Sequence, residues 1–206
     1  LRNSSLEGFK IPGTKERLIA MLFADDTTTY LSENDSFEDL MKILNDWCIA
    51  AKAKFNVKKT EIVPVGLQEF REQLIKSRQI QPDGPPIPQE IHIAREGEAV
   101  RILGVWFGNK MEAGVPWAPV MEKVDKALQQ WDRSHPTMEG RCLIIQMVIG
   151  GMTQYLTQVQ GMPAPVEDCL VKRTRKFMWG DKTQSPVNLK TLYAPVSQGG
   201  RGVLDL

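Results

Sequence analysis

Two carboxylates stand side by side at Asp25 and Asp26, inside the run Phe23-Ala24-Asp25-Asp26. Adjacent anions repel, and a divalent cation neutralises them. Mg²⁺ suits such a pair, because one or two carboxylates hold it and the rest of its octahedron is left to water and substrate phosphates. Mn²⁺ accepts the same oxygen donors. Residues 18–22 ahead of the pair are apolar, and residues 27–31 behind it are β-branched and aromatic, so both flanks read as short strands. That predicts a β-hairpin with both carboxylates at its tip, facing a cleft. Taken alone, an Asp-Asp pair also fits a plain solvated turn.

Further along the chain come Phe55-Asn56-Val57-Lys58-Lys59-Thr60 and, across a polar insert, a predicted short strand over residues 101–108 containing Leu103-Gly104-Val105. Asn56 and Thr60 are expected to fix the turn into a strand through their side-chain hydrogen bonds. The order is Phe-Ala-Asp-Asp hairpin, amphipathic helix, Phe-Asn-x-x-Lys-Thr strand, then Leu-Gly-Val. It closely resembles the palm of a reverse transcriptase, particularly those encoded by non-LTR (LINE-like) retrotransposons. The resemblance runs by motif from Leu1 to about Phe107, and to Leu206 by the looser pattern of a helical thumb and the segment beyond it.

The resemblance implies an α+β chain. Residues 1–110 would form a partial palm of antiparallel strands with a packed helix, carrying a variable insert at about 67–100. Residues 111–180 would be a helical thumb and 181–206 a polar linker or tail. It also implies the site. Asp25 and Asp26 would bind catalytic Mg²⁺ or Mn²⁺, with Asp25 the direct ligand. Phe23 would pack beneath the primer terminus, and Ala24 would stay small because nucleic acid passes close above it. Lys59 stands near a lysine of related polymerases that is held to protonate leaving pyrophosphate or grip the triphosphate; the alternative is a strand-edge lysine facing solvent. Leu103 and Gly104 match the hairpin that grips the primer backbone, with Arg101 beside them as a phosphate contact. The partners implied are an RNA template, a DNA primer, deoxynucleoside triphosphates and the rest of a parent polyprotein, with no membrane. The location implied is intracellular, and nuclear on the family's account alone.

Two-metal phosphoryl transfer needs charge neutralisation and in-line positioning. The family's third carboxylate lies on an earlier palm strand, well upstream of its Asp-Asp box, and Glu7 and Glu16 sit in no such strand context. The finger residues that clasp the nucleotide have no match either. The chain also begins without Met, as a piece of something longer would. The expectation is therefore a fragment of an RNA-directed DNA polymerase that is inactive alone. The alternative is a non-catalytic nucleic-acid-binding remnant of a degenerate element, gripping duplex through the thumb. An unrelated Mg²⁺ phosphohydrolase would leave the Lys-Thr and Leu-Gly-Val segments unexplained.

The elements that must position these residues are legible by periodicity. Residues 36–51 place Phe37, Leu40, Met41, Leu44, Trp47, Cys48 and Ala51 on one helical face, with Ser36 as N-cap. That stripe is expected to pack on the back of the sheet carrying Asp25 and Asp26. Residues 68–78 predict a short polar helix, and the proline-rich run 81–88 a flexible loop. Helices follow from Pro119 to Trp131, over 138–159 with Gly150-Gly151 as a kink, and over 166–179 ending at Gly180. The glycine-rich stretch 198–202 predicts a loop.

Composition is that of an ordinary globular chain: 206 residues, 42% hydrophobic, 25% charged, net charge +1. No uninterrupted apolar run approaches the roughly 18–20 residues of a membrane span. The basic excess lies in the C-terminal half and is densest at Lys172, Arg173, Arg175 and Lys176, which read either as a solvated helix face or as phosphate contacts. Cys48, Cys142 and Cys169 have no paired spacing and fit reduced thiols, and His92 and His135 are isolated.

Overall fold

A computed structural model describes every residue except Arg2 and residues 181–185. The chain is mixed α+β and divides into two compact units. The first comprises Leu1–Leu103 and Phe107–Met111; the second comprises Gly104–Trp106 and Glu112–Leu206.

In the first unit, β1 (Phe9–Lys10) pairs antiparallel with β2 (Arg17–Leu18), and β3 (Ala20–Phe23) with β4 (Asp26–Thr29). Helix α1 (Phe37–Ala51) follows. The Ser36 side chain accepts from the Asp39 N–H at its start, and Lys52 closes it in the left-handed region. Next come a 3-10 turn at Val57–Lys59, β5 (Glu61–Ile62), α2 (Gln68–Ser77) and β6 (His92–Ile93), which pairs parallel with β5. β7 (Val100–Ile102) and β8 (Val105–Phe107) form the last ladder, with Val105 and Trp106 of β8 counted in the second unit. The strands make four separate two-stranded ladders rather than one sheet. Isolated two-stranded ladders are marginal alone, so helices and loops must hold them.

Two small cores do so. Leu6, Ile19 and Leu40 are buried together with Leu31, Ile43 and Leu44 against them, so α1 seats on the base of the β3–β4 hairpin. Each such apolar side chain contributes about 1.5–3 kcal/mol on burial. The expected α1 stripe is corrected at its far end: Trp47 is 53% exposed, and its ring meets Phe55 instead of the sheet. Leu74, Ile87, Ile91 and Ile93 make the other cluster, beneath α2. The stretch expected to be a flexible loop is pinned there. The Arg78 guanidinium donates to the carbonyls of Ile87, Pro88 and Ile91, and Gln79 Nε2 donates to the Gly84 carbonyl.

The second unit is helical. α3 (Ala118–Asp132) buries Val124 and Leu128. α4 (Met138–Ile145) passes through a π-helical turn at Gln146–Gly150 into α5 (Gly151–Gln160), so the expected break at Gly150-Gly151 is an extra backbone residue in a continuous helix. α6 (Ala164–Trp179) ends at Gly180, whose positive φ of 68° suits glycine. The core gathers Val124, Ile145, Val148, Ile149, Leu170 and Phe177, among others.

Two expectations change in this unit. Residues 181–185 of the expected tail lie outside the described residues, but the rest does not behave as a linker. After α7 (Leu189–Tyr193) the chain doubles back, the Arg201 and Val203 N–H groups donate to the Leu192 carbonyl, and Leu192 and Val203 are buried in the core. Gly200 permits the return, since a Cβ there would lie 1.8 Å from the Ala194 carbonyl oxygen. The helix Met138–Gln160, of 23 residues, is also long and apolar enough by length and composition to cross a bilayer. Cys142, Ile144, Ile145, Val148, Ile149 and Leu156 commit one side of it to the protein core.

Candidate functional site: the Asp25–Asp26 hairpin

The pairing Phe23↔Asp26 leaves Ala24 and Asp25 as a two-residue turn, so Asp25 stands at the tip and Asp26 opens β4. Such tight turns need positive φ at the first or both central residues. Ala24 meets that need without being glycine, at φ 52°, which costs about 1–2 kcal/mol. Asp25 and Asp26 are exposed, and no ion pair or hydrogen bond engages either side chain among the described residues. Around the carboxylates the hairpin is apolar yet uncovered: Leu22 is 72% and Phe23 66% exposed.

The hairpin's rigidity comes from its base. Asp35 is buried, and its carboxylate accepts from the backbone N–H groups of Glu7 (2.7 Å), Gly8 (2.9 Å) and Ser32 (2.8 Å). Burial alone would raise this carboxyl; the three backbone donors outweigh it and hold the group below the usual carboxylate range. One side chain thereby ties the segment entering β1 to the segment leaving β4. Gly8 lies in the same clamp at φ 60°, and a Cβ there would meet the Leu18 carbonyl oxygen at 2.5 Å. Tyr30 adds a second tie, its ring 5.4 Å from that of Phe9 and its hydroxyl donating to Met21 Sδ.

The other sequence-derived residues fall in different places. Lys59 does not stand on a strand edge: it closes the 3-10 turn, exposed, two residues before β5, and forms no ion pair or hydrogen bond with Asp25 or Asp26. Thr60 fixes that turn as expected, its hydroxyl donating to the Asn56 carbonyl, whereas the Asn56 side chain makes no capping bond. Arg101 is exposed on β7. Leu103 and Gly104 form the β7–β8 turn, both at positive φ (49° and 83°). A Cβ on Gly104 would come to 3.3 Å from the Tyr155 ring.

The basic cluster on α6 divides. Lys172, Arg175 and Lys176 are exposed; the Arg173 guanidinium forms a two-pronged pair with Asp125 of α3, at 2.5 and 2.7 Å. Hydrogen bonding to Asp125 raises the already high Arg173 pKa further. Arg173 therefore ties α6 to α3.

Sequence reasoning missed Asp35 and Arg78. Asp35 sits in the polar turn Asn34-Asp35-Ser36, which reads as solvated loop beside a helix cap. Its long-range partners are backbone amides, which carry no signature in residue type. Arg78 was obscured in the same way, because its acceptors are carbonyls up to thirteen positions away.

The tip offers exposed carboxylate oxygens without an ion-pair partner among the described residues, the donor type that hard divalent cations take. Among the described residues no group of three or more His, Cys, Asp or Glu side chains could hold a metal ion. No family model matches the chain, and no curated protein matches it.

Proposed function

We propose that this chain is the C-terminal palm and thumb portion of an RNA-directed DNA polymerase of the non-LTR retrotransposon type. The observation that carries the reading is the tip of the β3–β4 hairpin, where Asp25 in the two-residue turn and Asp26 at the start of β4 are exposed and have no ion-pair partner among the described residues. The motif order around it, with Lys59-Thr60 after one helix and Leu103-Gly104 in a later tight turn, supports the same reading.

In this reading Asp25 and Asp26 hold Mg²⁺ or Mn²⁺, Asp25 directly. The bound ion would supply charge neutralisation for nucleotidyl transfer from a deoxynucleoside triphosphate. The chain's own residues do the remaining work. The Asp35 clamp keeps the tip from moving, the exposed Phe23 ring supports the primer end, and Ala24 leaves room for the nucleic-acid backbone. Lys59 and Arg101 offer cations to phosphates, and the Leu103-Gly104 turn lets the primer backbone approach. Lys172, Arg175 and Lys176 are the thumb's phosphate contacts. A third carboxylate would come from elsewhere in the parent polyprotein, so the chain alone does not polymerise. Its place of action would be the nucleus.

The test is primer extension on a primed RNA template with Mg²⁺ and all deoxynucleotides. The chain is assayed alone, as Asp25→Ala, and with an added upstream fingers-palm segment of a polymerase of this type. Extension only in the complemented wild-type mixture is expected. Extension by the chain alone would overturn the split-site account, and no extension in any mixture would remove the polymerase reading.

The second reading, a non-catalytic nucleic-acid-binding remnant, draws support from the absence of a third ligand group near the hairpin among the described residues. Primer-template binding without extension in any mixture is its signature.

A further inference from the structure

Trp47 and Phe55 are eight positions apart, and the end of α1 brings them together. Lys52 turns the chain through the left-handed region, the Lys52 and Ala53 N–H groups both donate to the Cys48 carbonyl, and the strand of chain that follows runs back along the last helical turn. The two rings then lie with centroids 5.6 Å apart and planes tilted by 38°. This aromatic pair is not core. Trp47 is half exposed and the neighbouring Ile49 is 78% exposed, whereas Leu40, Ile43 and Leu44 of the same helix point into the protein.

Along the chain, between Asp46 and Glu61, the charge is one-sided. From Trp47 to Thr60 the chain carries Lys52, Lys54, Lys58 and Lys59 and no Asp or Glu, in a protein whose net charge is only +1. All of these lysines are exposed, and none is in an ion pair among the described residues. Exposed aromatic faces beside uncompensated cations are what an unstacked base and its phosphates require, and stacking accepts any base. A duplex keeps its bases stacked inside, out of reach of the rings. A lipid surface would need a continuous apolar helix face, and that face of α1 is turned into the core.

We propose that Trp47, Phe55 and the lysines Lys52, Lys54 and Lys58 form a docking platform for single-stranded nucleic acid. The platform does not use Asp25 or Asp26, so it goes beyond the polymerase reading and stands or falls separately. The experiment is fluorescence anisotropy of the whole chain with labelled oligothymidylate and oligouridylate, alongside a duplex of the same length and phosphatidylserine vesicles. Expected are binding of the single strands over the duplex and vesicles, a loss of at least about fivefold in Trp47→Ala, and retention in Trp47→Phe. Lys54→Gln/Lys58→Gln should flatten the log affinity–log salt slope by about 1.4. Circular dichroism of each variant separates misfolding from lost contact, and Phe55→Ala repeats the test from the other ring. Unchanged binding in both aromatic variants, or duplex or vesicles bound as tightly as single strands, overturns the platform. Oligonucleotide binding that survives alongside failed primer extension in every mixture, the complemented one included, removes the polymerase reading and leaves the platform standing.

Discussion

The hairpins β3–β4 and β7–β8 each reverse the chain in two residues, and each puts a residue other than glycine into the left-handed region, Ala24 at φ 52° and Leu103 at φ 49°. Their supports differ. In β7–β8 the outer edge is covered: the Gln160 side-chain amide accepts from the Trp106 N–H (3.1 Å) and donates to the Trp106 carbonyl (2.8 Å), filling the place of a missing strand. The β3–β4 hairpin has no such cover and exposes Met21, Leu22 and Phe23. It is held from below, by Asp35 and by the small core around Ile19 and Leu40, with Tyr30 adding its contacts to Phe9 and Met21. Open edges with apolar side chains are a liability that proteins usually blunt. Here the open hairpin is the one that presents two unneutralised carboxylates, so the support has been placed where it leaves the tip accessible.

The comparison breaks most sharply at Asp25. On the proposed reading, Asp25→Ala lowers primer extension in the complemented assay by at least about 100-fold. Because the side chain is exposed and unpaired, urea denaturation should stay within about 0.5 kcal/mol of wild type. A larger stability change would mean that Asp25 supports the hairpin instead of serving a ligand.

Asp35 should behave in the opposite way. Asp35→Ala strands three backbone donors and is expected to cost about 2–3 kcal/mol in urea denaturation, loosening β1 and β4 together. Its folded pKa is depressed, so its contribution is fully present above the ordinary carboxylate range and is lost as pH falls through the lower folded value. Asp35→Asn should therefore show a flatter stability–pH curve in that acid window. Parallel curves for the two proteins would refute the clamp.

A smaller effect tests the covered edge. Gln160→Ala leaves the Trp106 N–H and carbonyl without their partner and should cost about 1 kcal/mol. Hydrogen exchange at the Trp106 amide is the direct readout, and an unchanged rate would show that the amide cap does not hold the edge.

What the sequence made legible follows from how far each interaction reaches. Helices α1, α3 and α6 could be read from apolar spacing, and their ends from Ser36 and Gly180, because periodicity and capping act within four residues. The β3–β4 hairpin was readable for the same local reason, from strand-like flanks around a short polar tip. Asp35, Arg78 and Gln160 were not, since each acts on backbone groups distant in sequence. The packing of the tail is not legible in its glycines: Gly200 serves a tight return, and the burial of Leu192 and Val203 shows it. Trp47 was assigned to the core by spacing alone; periodicity places a residue on a face but does not say how far the core extends along it.

The turn residues themselves give the smallest effects and the finest distinction. Leu103→Asn supplies a residue that tolerates positive φ ahead of Gly104 and should stabilise by about 0.5–1 kcal/mol. Ala24→Gly relieves similar strain, but the gain is offset by the greater freedom of glycine in the unfolded chain, leaving a few tenths of a kcal/mol. The informative measurement is stability set against extension rate for Ala24→Gly. If the left-handed alanine merely closes a turn, relief raises stability and leaves the complemented rate unchanged. If the strain holds Asp25 in its working orientation, relief raises stability and lowers the rate, and Leu103→Asn, far from the carboxylates in sequence, does not follow it. A rate that falls equally in both variants would mean that the turns act through general rigidity, and the distinction between the open and the covered hairpin would be lost.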